Sequence, residues 1–355
     1  MREVSAHTMR IAQIAPLAEA VPPKRYGGTE RVVSYLTEEL VNQGHEVTLF
    51  ASGDSRTKAR LMSCCPQALR LDASVNDPVP YTLMMLDRVR ACADEFDVLH
   101  FHTELEHFPI FQDMASRTVT TLHGRLDANE LSPFYGRFAD FPLVSISNDQ
   151  RRPMPPVNWA GTVYHGLPTE RLKFNAHPDG GYLAFLGRIA PEKGPDSAIE
   201  IARQSGLPLR IAAKVDDQDR EYFEEHIRPL LDDPLIQFVD EIGEAAKGEF
   251  LGQALALLFP IDWPEPFGLV MIEAMACGTP VIAYPEGAVP EIIERDTGFL
   301  VNDTDEAVRA VRHLGELDRR TIRTRFEERF SARRMARDYV EIYRRLVDGT
   351  SRGPA

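Results

Sequence analysis

Residues 264–283 have the sequence PEPFGLVMIEAMACGTPVIA, which predicts a loop, one helix and then a strand. Pro266 suits the first position of a helix, and Gly278 suits the position just past its end. The apolar run of residues 254–261 predicts a buried parallel strand ahead of this loop. Glu265 therefore follows the carboxyl end of a strand, where open α/β sheets bind their ligands.

Two carboxylates of this stretch are eight residues apart, Glu265 ahead of the predicted helix and Glu273 within it. Between them lie the N–H groups of the helix start, around Phe267, Gly268 and Leu269, and the positive end of the helix dipole. A ligand with hydroxyl groups at both ends and a diphosphate in the middle fits this order of groups, and a nucleotide sugar is such a ligand. Glu265 would accept hydrogen bonds from its sugar, and Glu273 from its ribose.

The segment resembles the Glu-x7-Glu signature of the retaining, GT-B-type glycosyltransferases, specifically glycosyltransferase family 4, the group 1 glycosyl transferases. This resemblance implies that Glu265 binds the donor sugar and that Glu273 binds the ribose. An amphipathic helix with two incidental acids is the alternative interpretation. The agreement of the proline, glycine and glutamate positions within one segment favours the glycosyltransferase.

The composition is that of an ordinary globular protein, with 43% hydrophobic and 26% charged residues among 355. A net charge of -14 argues against a general surface for nucleic acid or anionic membranes. No apolar run approaches the roughly 18 residues of a transmembrane segment, and residues 1–8 are too polar for a signal peptide. The four cysteines have no Cys-x-x-Cys spacing, so we expect neither disulfides nor zinc, and a cytoplasmic location.

The N-terminal half predicts a doubly wound parallel sheet, because short β-branched runs alternate with helical or irregular segments. The expected strands are residues 10–16, 46–52, 97–102, 118–124 and 142–147, and residues 162–168 resemble the last strand of this domain in the family. A helix is expected from Thr29 to Gln43, ended by Gly44.

A glycine-rich loop, residues 26–30, precedes that helix and contains Gly27 and Gly28. Such a turn can bring backbone N–H groups against an anion or a sugar. A plain helix entry with Thr29 as the cap explains the loop about equally well. The resembling family has a glycine-rich loop at this place that faces the interdomain cleft, so the resemblance favours donor binding by Gly27 and Gly28.

Histidines cluster around two of the predicted strands. A lone histidine is more often structural, but His123 lies at a strand's carboxyl end, which favours function. The resemblance implies that His123 lies near the donor sugar and the reacting centre. His100 and His102 share one face of their strand, and acidic residues and a third histidine follow. Because no ligand spacing is distinctive, we interpret these residues as a polar strand end and expect no metal.

Two basic residues, Arg188 and Lys193, follow a strand predicted at 182–188. They would clamp a diphosphate, Arg188 by its planar fork and Lys193 as a point charge. They resemble the family's Gly-Arg and Glu-Lys-Gly elements, whose basic residues bind the diphosphate. The alternative interpretation is that Arg188 and Lys193 are two solvated charges in a loop. Lys214 stands near the end of the next strand, 209–215, where many relatives have a glycine-rich turn, and we expect it to add a third cation.

Two further patterns are weaker. Glu241 and Ile242 close a strand-and-turn segment predicted at 236–243, and the resemblance implies that they lie beside the nucleobase. Residues 217–219 and 303–305 match the Asp-x-Asp pattern with which glycosyltransferases of another fold hold a divalent ion. Each begins a predicted helix, so helix capping is the favoured interpretation.

The resemblance extends over residues 9–346 and implies an α/β protein with two doubly wound Rossmann-like domains that face a cleft, the GT-B fold. The expected organisation is an N-terminal acceptor-side domain at 1–170, a linker at 171–180 and a nucleotide-sugar donor domain at 181–334. A C-terminal helix, 335–347, is expected to cross back to the first domain. Residues 348–355 are expected to be disordered.

The implied function is retaining hexosyl transfer from a nucleotide-diphosphate sugar, taken as a UDP-sugar on family frequency alone, without a metal or a cofactor. The acceptor, a sugar, a glycolipid precursor or a small molecule, is not identified. The residues expected to act in catalysis are His123, Arg188, Lys193 and Glu265. The alternatives are a sugar-nucleotide epimerase or phosphorylase of the same fold, and a non-catalytic nucleotide-sugar-binding protein. The complete set of residues favours the transferase.

Overall fold

The computed structural model describes residues 8–24 and 27–351, apart from the side chains of residues 350 and 351. Residues 1–7, Tyr26 of the glycine-rich loop and residues 352–355 of the expected tail lie outside the described residues. The chain divides into two compact units. The first unit holds the chain up to Ile146, Arg151–Gly166 and the chain from Ala332 onward, and the second holds Ser147–Gln150 and Leu167–Ser331.

Each unit is built on one parallel sheet. The strands of the first are β1 (Arg10–Ile14), β2 (Glu46–Ser52), β3 (Arg60–Cys65), β4 (Val98–Phe101), β5 (Thr118–Thr121), β6 (Leu143–Ser145) and β7 (Trp159–Thr162). The strands of the second are β8 (Leu183–Arg188), β9 (Leu209–Lys214), β10 (Ile236–Phe238), β11 (Ala256–Phe259), β12 (Val281–Ala283) and β13 (Gly298–Leu300). Among the described residues the sheet orders are β3-β2-β1-β4-β5-β6-β7 and β10-β9-β8-β11-β12-β13.

Helices connect these strands, as parallel pairing requires. Those of the first unit are α1 (Gly28–Asn42), α2 (Val79–Ala91), α3 (Leu131–Arg137) and, at the end of the chain, α11 (Ala332–Ser351). Those of the second are α4 (Pro195–Ser205), α5 (Arg220–Tyr222), α6 (Glu244–Gly252), α7 (Leu269–Ala276), α8 (Val289–Ile292), α9 (Thr304–Arg312) and α10 (Arg319–Phe330). No helix in the described part of the chain is long and apolar enough to cross a membrane.

Both faces of the first sheet are covered. Leu49 and Ala51 of β2 pack with Val33 of α1 in one apolar cluster. Phe50, between them in sequence, belongs to a separate and larger cluster on the opposite face. Successive side chains of a strand point to opposite faces, so this alternation places apolar layers on both sides of the sheet. The expectation of a doubly wound α/β architecture is confirmed.

Several predicted boundaries were wrong. Pro266 does not begin α7, because Gly268 is its N-cap with a φ of 83° and the helix starts only at Leu269. Thr29 is not the cap of α1 either, since Gly27 is the N-cap and no side chain caps that end. The ends of both helices are as expected, with Gly44 and Gly278 in the left-handed conformation that closes a helix.

Two strands and the chain terminus also differ from expectation. Strand β3 was missed, because its run of Leu, Met, Ser and Cys lacks β-branched residues. The last strand of the first unit is β7, which ends at Thr162, where the predicted strand began. The tail expected from residue 348 is wrong up to Ser351, because α11 continues to that residue. Each added helical residue gains a backbone hydrogen bond, which favours continuation once a helix has formed.

The segment 171–180, interpreted above as a linker, is bound within the second unit. Asn175 donates through its amide to the carbonyl oxygen of Gly252 over 3.1 Å, and its own carbonyl accepts from Arg319 over 2.7 Å. The main segment of the second unit accordingly begins at Leu167. The C-terminal helix α11 belongs to the first unit and packs against α1.

Candidate active site

Three neighbouring strands of the second unit end at one edge of the sheet. Strand β8 ends at Arg188 and β9 ends at Lys214, and these two residues are register partners. Strand β11, on the other side of β8, ends at Phe259 and leads into the loop that contains Glu265. The carboxyl ends of adjacent parallel strands meet at one edge, so this edge gathers the predicted charged residues.

Arg188 is surrounded by carboxylates. Its guanidinium lies 2.5 Å from Glu192, 3.7 Å from Asp216 and 3.6 Å from Asp219. Lys214 lies 2.5 Å from the other oxygen of Asp216. Two of the predicted phosphate ligands, Arg188 and Lys214, are thus brought together through a shared acid that the sequence reasoning missed.

The pattern at residues 217–219 was interpreted as a helix cap, and this was wrong. The short helical turn there has Asp216 as its N-cap, and no side chain accepts a capping hydrogen bond. Asp219 instead faces Arg188, and Asp217 pairs with Arg220. The second pattern does act as predicted, since Asp303 caps α9 by accepting from the backbone N–H of Glu306 over 2.8 Å.

Glu265 lies in the loop after β11, and two side chains donate hydrogen bonds to it. Lys193 donates to its Oε2 over 2.5 Å, and Trp263 donates to the same oxygen from Nε1 over 2.8 Å. The ammonium of Lys193 also lies 4.2 Å from the centroid of the Trp263 ring, a cation–π contact. Trp263 was missed, although a tryptophan two residues before Glu265 in a loop off a strand end is a signal that the sequence contains.

The start of α7 lies directly after this cluster. Gly268 has a φ of 83°, and a Cβ there would lie 2.7 Å from the terminal methyl of Met271, so only glycine fits without displacement. The first N–H groups of the helix, which it cannot satisfy itself, follow at Leu269 and Val270. Phe267, placed near these groups by the sequence, is a buried core residue.

Glu273 lies in the second turn of α7 and is almost completely buried. Its Oε1 accepts from the ammonium of Lys247 in α6 over 3.0 Å. Lys247 is buried as well, and its ammonium also lies 2.6 Å from Glu244. Burying a charge is favourable only when it is paired, so Lys247 and Glu273 stabilise one another. The sequence carries no signal for Lys247 beyond its position three residues after Glu244.

His123 lies in the first unit, two residues past β5, within a group of buried histidines. Its Nε2 is 2.9 Å from Nδ1 of His102, and the ring of His165 stacks on it with centroids 5.4 Å apart. Burial lowers the pKa of His123 to about 3 and holds the pKa of His102 well below its usual range. Both rings are therefore neutral near pH 7. Among the described residues, no group of three or more His, Cys, Asp or Glu side chains is arranged to hold a metal ion.

The remaining predicted residues are placed as follows. Gly27 and Gly28 form the entry to α1, where a Cβ on Gly27 would lie 2.9 Å from that of Pro23 and 3.0 Å from the carboxylate of Glu30. Glu241 and Ile242 lie in the loop after β10, Glu241 exposed and Ile242 half-buried. The roles assigned to these four residues stay predictions.

Two family models match the chain, Glycosyltransferase Family 4 over residues 26–156 and Glycosyl transferases group 1 over residues 168–331. The N-acetyl-alpha-D-glucosaminyl L-malate synthase of Bacillus anthracis is 26% identical over 89% of this chain and 93% of its own length. The GDP-mannose-dependent alpha-(1-6)-phosphatidylinositol dimannoside mannosyltransferase of Mycobacterium tuberculosis is 27% identical over 92% of this chain and 94% of its own.

Among solved structures, the sucrose-phosphate synthase of Thermosynechococcus elongatus superposes with a TM-score of 0.77 at 19% identity, covering 96% of this chain and 100% of that one. The fold is that of the GT-B glycosyltransferases, with two Rossmann-like domains. The family matches cover most of both units, and the named relatives are sugar-transferring enzymes. The chain belongs to the group 1 glycosyltransferases of the family 4 type, enzymes that use a nucleotide-sugar donor.

Proposed function

We propose that the enzyme transfers a hexose from a UDP-sugar to a hydroxyl-bearing acceptor, with retention of the anomeric configuration and without a metal ion. The observation that carries the proposal is the pairing of the two glutamates of the 264–283 segment with lysines. Each is ionically paired with a lysine, Glu265 with Lys193 and Glu273 with Lys247. An incidental surface acid has no need of such a partner, whereas a carboxylate that must present one oxygen to a ligand hydroxyl gains orientation from it.

Glu265 would orient the donor sugar. Its Oε2 is occupied by Lys193 and Trp263, so the carboxylate is fixed, and Oε1 is the oxygen that would accept from a sugar hydroxyl. Glu273 would accept hydrogen bonds from the ribose hydroxyls. Hydrogen bonds to a charged group contribute about 1.5–3 kcal/mol each, enough to align the anomeric carbon with an acceptor.

The leaving group of this reaction is a nucleoside diphosphate, whose charge grows as the glycosidic bond breaks. Arg188, Lys193 and the first N–H groups of α7 would stabilise that charge, and Lys214 would add a third cation near the phosphates. In this proposal those cations and dipoles replace the divalent ion. For retention, the departing phosphate would accept the acceptor's proton on the face that it leaves. His123 would contact the donor sugar.

The names of the relatives differ in the acceptor that they specify, and one of them specifies a donor nucleotide other than UDP. The name of the mycobacterial relative specifies GDP-mannose and a phosphatidylinositol dimannoside, and that of the Bacillus relative specifies malate. We infer a hydroxyl group as the acceptor function. UDP stays the proposed nucleotide of the donor, and GDP is the alternative.

A thermal-shift screen against UDP-, GDP- and ADP-sugars in EDTA tests the proposal. At a donor concentration of 100 times Kd, binding stabilises the folded protein by about 2.7 kcal/mol, which is readily detected. We expect one base to shift the melting temperature, and we expect Glu273→Ala to abolish the shift. No shift with any donor, or a shift that survives Glu273→Ala, contradicts the proposed site.

Assays of product formation then distinguish a transferase from an epimerase and from a binding protein. A transferase releases nucleoside diphosphate in proportion to added acceptor, whereas an epimerase converts its nucleotide sugar without one. A binding protein produces neither product. Activity that disappears with EDTA and returns with magnesium would overturn the metal-free mechanism.

A further inference from the structure

A chain of buried hydrogen bonds runs from the C-terminal helix to His123 within the first unit. It begins at Tyr343 of α11, passes through Gln13 of β1 to His102, and ends at His123. Gln13 has no exposed surface, and His102 and Tyr343 are almost completely buried. Water cannot reorient such groups, so their protonation pattern is fixed by the partners they have.

The direction of each hydrogen bond follows from Gln13. Its amide nitrogen donates to the hydroxyl of Tyr343 over 3.1 Å and lies 3.2 Å from Nδ1 of His100. Its amide oxygen, which can only accept, is 2.7 Å from Nε2 of His102. His102 therefore carries its proton on Nε2. Because the ring is neutral, its Nδ1 is a bare acceptor.

This acceptor determines the next ring. Nδ1 of His102 lies 2.9 Å from Nε2 of His123, so Nε2 of His123 must carry the proton and donate it. The remaining nitrogen of His123, Nδ1, is then unprotonated. It is buried and has no hydrogen-bond partner among the residues that the structure describes. Buried polar atoms are nearly always paired, so a lone acceptor of this kind is a position that a ligand would satisfy.

We propose that Gln13 and His102 are positioning residues that hold His123 in the Nε2–H tautomer, so that Nδ1 accepts a hydrogen bond from a hydroxyl of the bound substrate. This inference rests on the proposed function, in which His123 contacts the donor sugar. The stacked ring of His165 limits rotation of the imidazole about its Cβ–Cγ bond, which would otherwise move both nitrogens away from these positions. In the opposite tautomer an N–H would point at the substrate, and only a lone pair of the sugar could meet it.

The tautomer is directly measurable. Protein labelled with 15N in its ten histidine rings gives long-range 1H–15N correlations that distinguish protonated from bare ring nitrogens, and His123→Gln identifies the signals of His123. We expect His123 to show a protonated Nε2 and a bare Nδ1 at pH 7. A protonated Nδ1 in the wild-type spectrum overturns the inference without any variant.

Two variants of Gln13 test its control over the tautomer. Gln13→Leu and Gln13→Met both remove the amide oxygen, and we expect either one to give a mixture of tautomers at His123. The matched control is Thr121→Val, which deletes the hydroxyl 2.7 Å from Nε2 of His100 at the far end of the same network. It should leave the His123 spectrum unchanged. Wild-type signals of His123 in both Gln13 variants would refute the inference.

Kinetics separate this inference from the proposed function. Relative to Thr121→Val, the Gln13 variants should lower kcat by roughly tenfold, about what one hydrogen bond contributes, with melting temperatures similar to that of the control. If the wild-type enzyme transfers no sugar, the proposed function fails while the spectra still decide the tautomer. If it transfers sugar and the Gln13 variants keep the full kcat of the control, the positioning role fails alone.

Discussion

Replacing Lys247 by methionine removes the ammonium group between two carboxylates of the second unit and keeps an unbranched side chain of similar length. That ammonium lies 3.0 Å from Glu273 and 2.6 Å from Glu244. The exposed fractions of the three side chains are 11% for Lys247, 5% for Glu273 and 27% for Glu244. Glu244 can therefore be rehydrated after the change, whereas Glu273 cannot.

The expected loss of stability follows from this difference in burial. Removing one partner of a buried ion pair costs about 3–5 kcal/mol, whereas an exposed pair contributes about 0–1 kcal/mol. We assign the loss to Glu273 and place it near the lower limit, at about 3 kcal/mol, because the Lys247 side chain is not completely buried. For a unit of this size, that lowers Tm by about 6–12 °C.

Donor binding should weaken as well, because Glu273 loses the group that fixes its orientation. We expect the donor Kd to rise by about tenfold, equivalent to about 1.4 kcal/mol. Urea unfolding followed by circular dichroism measures the first effect, and isothermal titration with the donor identified in the screen measures the second.

Glu244→Gln is the matched control, since it removes the outer partner of Lys247, together with the pair that Glu244 makes with Arg171 over 3.4 Å, and leaves Glu273 in place. It should cost less than about 1 kcal/mol and leave donor affinity unchanged. The double variant Lys247→Met/Glu273→Gln should be more stable than Lys247→Met alone, because the buried carboxylate charge is removed as well. If Lys247→Met is no more destabilising than Glu244→Gln, the reasoning from the buried pair is wrong.

Three other changes test separate parts of the structure. Trp263→Phe keeps the ring beside Lys193 but removes the donor to Glu265, so kcat/KM in initial-rate assays should fall by about fivefold, and an unchanged value would exclude the contact from catalysis. Burial holds the pKa of His107 at about 3. The unfolded chain binds a proton there below about pH 6.5 and the folded one does not, so stability is lost on acidification by up to about 1.4 kcal/mol per pH unit. His107→Gln should reduce that slope between pH 6.5 and 4.5 in urea titrations, and an identical slope would contradict the burial argument. Gly268→Ala should cost more than Gly206→Ala in unfolding experiments, because both pay about 1–2 kcal/mol for a left-handed backbone but only Gly268 has a side chain 2.7 Å from the new Cβ; equal losses would mean that Met271 moves aside freely.

The sequence predicted the sheets well because buried parallel strands are continuous apolar runs, which can be found directly in the sequence. It failed where a strand has a different composition, as in β3, and where a helix start depends on one backbone angle, as at Gly268. The glycine pattern that identified Gly44 and Gly278 as helix ends does not identify a left-handed residue at a helix start. The position of Pro266 was compatible with a helix start and was not sufficient for one.

The candidate site shows the same division. Glu265, Glu273, Arg188 and Lys193 could be named because the segments that contain them have a recognisable order of residue types. Their partners could not, because Lys247 and Asp216 reach the site from other elements, through contacts made only when the chain folds. The tautomer of His123 was equally hidden, since it depends on Gln13, which lies 110 positions earlier in the chain.

In the proposed function, the carboxylates around Arg188 and Lys214 have a consequence for the end of the catalytic cycle. Because Arg188 and Lys214 are already paired to acids, the proposed site would bind a diphosphate by exchange of one anion for another, and the net gain would be smaller than free cations would provide. The displaced acids stay tethered within reach of the same cations. When the spent nucleoside diphosphate moves out, Glu192, Asp216 and Asp219 would pair with Arg188 again, so the acids that limit affinity would also hasten the departure of the product.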